Sequence, residues 1–172
     1  QEMINTLTYP GATYVHQGWV STDFTTLYAN DEGDEECRSG LLHHCDLNDS
    51  SAFPITRIFD ISSLKKVGEA REFINSKAHP SIDHNMYVKG DYIYSANYEA
   101  GVRVYKILED KSLTEIAYFD VSNDCDDIIN CADPFGGIWT HFPYSDLTTT
   151  IASNGFYGLH VFRVRIHENT FE

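Results

Sequence analysis

Two histidines, His16 and His84, stand just ahead of short apolar runs, and a dense acidic stretch, Asp31-Glu32-Gly33-Asp34-Glu35-Glu36, closes another. Imidazole nitrogen binds zinc, copper and nickel well, and carboxylate supplies both a ligand and compensating charge. His16, His84, Asp31 and Glu32 are therefore a candidate transition-metal set. The competing reading is that these histidines hydrogen-bond backbone or Asx groups of neighbouring elements. The acidic stretch could instead hold calcium, but it departs from the EF-hand pattern of alternate ligands, a turn glycine and a closing bidentate Glu. Solvated loop charge is the plainer reading, and the same holds for Asp124, Asp126 and Asp127. His43, His44 and His141 read as loop or surface residues. No cofactor is fixed by these patterns; calcium and a transition metal are the candidates. Nucleophilic catalysis has poor support, because the chain contains neither a G-x-S-x-G elbow nor a G-x-x-x-x-G-K-[ST] phosphate loop. Paired carboxylates for glycoside hydrolysis are a spatial feature that sequence does not assign. A binding role is better supported than an enzymatic one.

The elements that must position these residues are short strands. Ile82 to Leu108 holds three: Met86 to Lys89, Tyr92 to Ala96 and Val102 to Leu108, separated by Gly90-Asp91 and by a loop closed at Gly101. β-Branched and aromatic residues fill the runs, and Gly, Asp and Asn punctuate them. The pattern recurs. Asn97-Tyr-Glu-Ala-Gly101-Val-Arg-Val-Tyr105 aligns without gaps with Asn154-Gly-Phe-Tyr-Gly158-Leu-His-Val-Phe162. Gly101 and Gly158 recur where the loop needs positive φ or close approach. Upstream, Trp19, Tyr87 and Trp139 align as aromatic repeats, with inter-unit packing their expected role and ligand stacking the other. An earlier copy has Asp31 in place of Asn97 and is interrupted before Arg57-Ile58-Phe59 by an insertion carrying the acidic run, two cysteines and His43-His44.

Units of this length, with several strands each, predict an all-β fold: a partial β-propeller of four-stranded antiparallel blades. About two and a half blades are legible. Residues 1–10 would hold the outer strand of a preceding blade (Thr6 to Tyr9), 13–76 a blade with the insertion, 84–121 a second blade and 137–172 an incomplete third. Propellers typically close with 4–8 blades, so the remaining blades of the same protein, or copies of it in a ring or filament, are expected partners. Propeller geometry also places first-strand starts, second-strand ends, second-to-third loops and inter-blade loops on one face. Trp19, Asp31, Asp34, Glu35, Asn97 and Asn154 are the expected binding-face residues, and a surface protein or a glycan the expected ligand.

The chain has 172 residues with 13% aromatics, enough for a packed core. It carries 26 Asp and Glu against 12 Lys and Arg, a formal charge of −14. That field repels phosphate backbones and anionic lipid, so nucleic-acid binding is not expected. No run approaches the length of a membrane span. The chain opens at Gln1 without an initiator Met or a signal-peptide pattern and reads as processed or partial. Its cysteines form two local pairs in polar loops, and neither has C-x-x-C spacing. Disulfides Cys37–Cys45 and Cys125–Cys131 are expected, and with them a secreted or cell-surface location. Asn48-Asp49-Ser50 is a glycosylation sequon, relevant in a eukaryotic source.

H-Q-G-W (His16 to Trp19), N-D-E-G-D-E (Asn30 to Glu35), I-D-H-N-M-Y-V-K-G (Ile82 to Gly90) and A-N-Y-E-A-G-V-R-V (Ala96 to Val104) together resemble the choice-of-anchor B proteins. These are LVIVD-repeat β-propellers of the cell surface or secreted. The resemblance spans nearly the whole chain and corresponds to the later part of that family's domain. It implies a fold and a compartment and brings no settled activity. The two cysteine-bearing insertions depart from the simplest family pattern.

Overall fold

A computed structural model describes residues 2–41, 53–78, 80–121, 133–144 and 149–164. Among the described residues the fold is all-β, built of three antiparallel sheets and one short helix. The first sheet runs β1 (Val15–Val20), β2 (Thr26–Asp31), β3 (Ile55–Asp60) and β4 (Arg71–Ile74), with α1 (Glu32–Arg38) inserted after β2. The second runs β5 (Met86–Lys89), β6 (Tyr92–Ala96), β7 (Val102–Ile107) and β8 (Leu113–Phe119). The third contains β9 (Ile138–Phe142), β10 (Thr149–Asn154) and β11 (Gly158–Arg163) among the described residues. Each sheet is a simple meander in strand order; Gly90-Asp91 makes the tight β5–β6 turn, whereas α1 and the insertion separate β2 from β3. At Gly101 and Gly158 φ is 74° and 84°, the left-handed region that glycine enters without a Cβ penalty. A Cβ on Gly101 would also strike the Phe119 carbonyl.

The second sheet is covered on both faces. Met86, Val88, Ile93, Tyr105 and Leu113 pack against Tyr28 and Ile58 of the first sheet. Tyr94, Ala96, Val102 and Val104 pack against Ile138 and Ala152 of the third. At roughly 1.5–3 kcal/mol for each large apolar side chain fully buried, these two layers carry most of the fold's cohesion. Polar links stitch the sheets as well. Gln17 Oε1 accepts from Met86 N (2.8 Å), and Tyr144 Oη donates to Val88 O (2.6 Å). Tyr98 and Ile138 exchange two backbone hydrogen bonds across the second and third sheets.

Three expectations change. Thr6 to Tyr9 forms no strand: a strand needs a ladder partner, and none lies beside this segment among the described residues. Instead the Tyr9 ring packs on Phe59, with centroids 6.1 Å apart. The acidic stretch is not solvated loop charge but mostly α1, with Glu32, Asp34 and Glu35 buried. His141 is not a surface residue. It is buried opposite Ala152, the register position that Met86 fills opposite Ser95 in the second sheet. Cys45, Cys125, Cys131, Asn48, His43, His44, Asp124, Asp126 and Asp127 lie outside the described residues, so neither cysteine pairing falls wholly within them. Among the described residues no helix is long and apolar enough to cross a membrane.

Candidate functional site

Strand register, more than residue type, builds the site. Asn30, Ala96 and Ser153 occupy one position in the three second strands. Gln17 lies opposite Asn30, Asn85 bonds Ala96, and Thr140 lies opposite Ser153. The residues just before these partners are His16, His84 and Trp139. Irregular pairing beside His16 and Trp139 turns their side chains out of the pleat. The three rings consequently converge from three sheets: His16 stacks on His84 at 4.0 Å, and His84 meets Trp139 at 4.8 Å. Trp139 is therefore the counterpart of the two histidines, not of Trp19 and Tyr87. By register those two pair with Tyr28 and Tyr94, and Phe142, opposite Ile151, is their third-sheet counterpart. Trp19 lies further along β1 and packs on Tyr87 (5.1 Å), away from the histidines.

Glu32, the first residue of α1, joins this group. An imidazole nitrogen from each of His16 and His84 and a Glu32 carboxylate oxygen all lie within 4.8 Å of one another. His84 Nδ1 faces Trp139 O at 2.6 Å. Tyr98 Oη donates to Glu32 Oε1 at 2.5 Å, and the Tyr98 ring lies against His84 (5.1 Å) and Trp139 (5.7 Å). Burial and the Glu32 hydrogen bond push the Tyr98 phenol far up, so it stays protonated as a donor. Its φ of 41° is unusual for a bulky residue, and its backbone is held by the Ile138 bridge. Burial lowers the His84 pKa; the Trp139 carbonyl opposes this and proximity to His16 adds to it.

Asp31 does not join them. Its carboxylate accepts from Tyr9 Oη (2.6 Å), Thr13 N (2.8 Å), Thr13 Oγ1 (2.7 Å) and Tyr14 N (2.7 Å). Burial opposes its ionisation, but these bonds prevail and hold the carboxyl below its usual range. Asp31 thus clamps the approach to β1. Asp34 and Glu35, expected on a binding face, are buried in an ionic network. Asp34 pairs with Arg38 (2.8 Å) and with Arg57. Glu35 accepts from Arg38 Nη2 (3.0 Å) and Ile55 N (3.1 Å). Burial pushes Glu35 and Asp83 well up, and the neighbouring carboxylates push further. Acidic residues in the first turn of α1 and Arg38 in its last suit the helix dipole.

Asn97 directly follows β6 and Asn154 ends β10. Asn97 N donates to Gly101 O (2.9 Å), while Asn154 Oδ1 accepts from Phe156 N (2.9 Å) and Tyr157 N (3.1 Å). Both are buried and shape loops rather than face solvent. Exposed aromatics surround the same end: Tyr14, Phe135, Trp139, Phe156 and Tyr157. Tyr98, Asp83 and the Phe135–Tyr157 aromatics were missed in the sequence. Only the Asn-Tyr context of the repeat pointed toward Tyr98. No family model matches the chain, and no curated protein matches it.

Proposed function

We propose that the chain is the later part of a secreted or cell-surface β-propeller of choice-of-anchor B type, acting as a binding and assembly module. One observation carries the reading: equivalent positions of three successive sheets bring His16, His84 and Trp139 together at one end, as inner strands around a shared axis would. The rim of exposed aromatics at that end supplies flat apolar surface of the kind that binds sugar rings or aromatic and proline side chains. The third sheet supports the assembly reading: Phe142, Leu159 and Val161 stay more than half exposed. An apolar sheet face of this kind is expected to be covered by further blades or by another copy of the chain.

The test is binding to a glycan array and a panel of extracellular-matrix proteins. Trp139→Ala and Tyr157→Ala should each weaken the strongest interaction by about tenfold or more, as for aromatic hot spots. Phe24→Ala, in the turn at the opposite end, should leave it unchanged. Equal binding by all three variants would contradict the assignment of the face. A second reading, a metal-dependent enzyme of hydrolase type, is favoured by one observation. Two histidines and one glutamate, with no fourth side chain among the described residues, match the donor set of catalytic zinc centres.

A further inference from the structure

We infer that His16, Glu32 and His84 bind one divalent transition-metal ion, leaving a coordination position open toward Trp139. The inference is independent of whether the face binds or catalyses.

Donor chemistry selects the ion class. Two imidazole nitrogens and one carboxylate oxygen suit zinc, cobalt, nickel or copper. Calcium and magnesium require six or more ligands, nearly all oxygen. Bonds of about 2.0–2.2 Å around a tetrahedral ion place donors roughly 3.3–3.6 Å apart. The donors here lie within 4.8 Å of one another, so side-chain shifts on the order of 1 Å would close the site.

The surroundings prepare each donor. Trp139 O can only accept, so the 2.6 Å contact makes His84 Nδ1 the donor and leaves Nε2 as the nitrogen for coordination. A backbone carbonyl holding the far nitrogen is the usual support of a ligating histidine. Tyr98 Oη fixes Glu32 through Oε1, and Oε2 remains available for coordination. His16 Nδ1 is buried without a hydrogen-bond partner, an arrangement that costs free energy unless something occupies it. Charge agrees: a buried carboxylate beside two imidazoles favours a cation, in a chain of net charge −14. Three side-chain donors leave a fourth tetrahedral position for water or a ligand atom, and half-exposed Trp139 and exposed Tyr14 flank the way in.

The experiment is titration of the chelator-treated, dialysed chain with cobalt(II) chloride, read by visible absorption. Zinc chloride competition is then followed by calorimetry. One equivalent of cobalt should bind with the intense visible band of low-coordinate geometry, and zinc should displace it. His16→Ala and His84→Ala should each weaken binding by about 100-fold or more, and Tyr98→Phe by about 10–100-fold through positioning of Glu32. His16 is only partly buried, so His16→Ala decides the matter if His84→Ala unfolds; circular dichroism verifies the sheet content. Absence of saturable binding by the parent chain would overturn the inference. So would a folded His16→Ala variant that binds zinc as tightly as the parent.

Discussion

Arg57→Ala should destabilise the protein by about 3–5 kcal/mol, the usual cost of removing one partner from a buried ion pair. Arg57 is 4% exposed on β3. Its guanidinium pairs with Asp34, donates to Ile55 O (3.1 Å), and lies 4.8 Å above the Tyr9 ring. Without it, Asp34, Glu35 and Asp83 share a buried corner with Arg38 as the main remaining cation. The loss would reach the candidate site, because Asp34 and Glu35 hold α1 in place and Glu32 opens that helix. Denaturant unfolding measures the effect. Adding Asp34→Asn to Arg57→Ala should recover a substantial part of the loss, since the stranded charge is then gone. A loss below about 1 kcal/mol would show that the network is solvated, like an exposed pair.

Acid should destabilise the fold through His141. Burial between Tyr87 and Tyr94 pushes its pKa down to about 3, against about 6.5 in an unfolded chain. The sign follows from proton uptake. Above pH about 6.5 neither state binds this proton, and its effect on stability is nil. As pH falls from there toward 3, the unfolded chain takes up a proton that the folded chain refuses. Stability then drops by about 1.4 kcal/mol per pH unit. Glu35 and Asp83 act in the opposite sense: their raised pKa values favour the folded state at low pH, with that gain lost as pH rises. His141→Met isolates the histidine, because methionine fills the equivalent place at Met86. The variant should show a visibly flatter decline between pH 6 and 4 in denaturant midpoints, with unchanged or higher stability at pH 7. The same slope in parent and variant would place the acid sensitivity elsewhere.

Much of the fold was legible because the repeat is marked at the backbone level. Met86–Lys89, Tyr92–Ala96 and Ile138–Phe142 begin and end as the alternation and the Gly-Asp or Asx turns dictate. The site was legible only in part. His16, His84 and Glu32 are titratable residues at strand and helix starts, so residue type and position sufficed to single them out. Asp31 has the same type and a neighbouring position, but four donors from Tyr9, Thr13 and Tyr14 already occupy it; such a clamp depends on a chain path that composition does not encode. The tryptophan alignment failed at a β-bulge. One irregular residue in β9 moves Trp139 from the aromatic column of Trp19 and Tyr87 into that of the histidines, and no residue type announces that step. The acidic stretch misled for a related reason. Its charge suggested solvent, whereas its partners are Arg38, one turn further along α1, and Arg57 on β3, which meets Asp34 only once the chain folds back past the insertion.

The central claim is that these sheets are neighbouring blades around one axis, lined at one end by His16, His84 and Trp139. Electron cryo-microscopy of the native assembly tests it most directly. The account predicts a closed ring in which β1, β5 and β9 are the inner strands, the two histidines and Trp139 face the axis, and Phe142, Leu159 and Val161 lie against a further sheet. A stable 19.6 kDa monomer with the third sheet bare, or an assembly in which β4 and β8 are innermost, would contradict it.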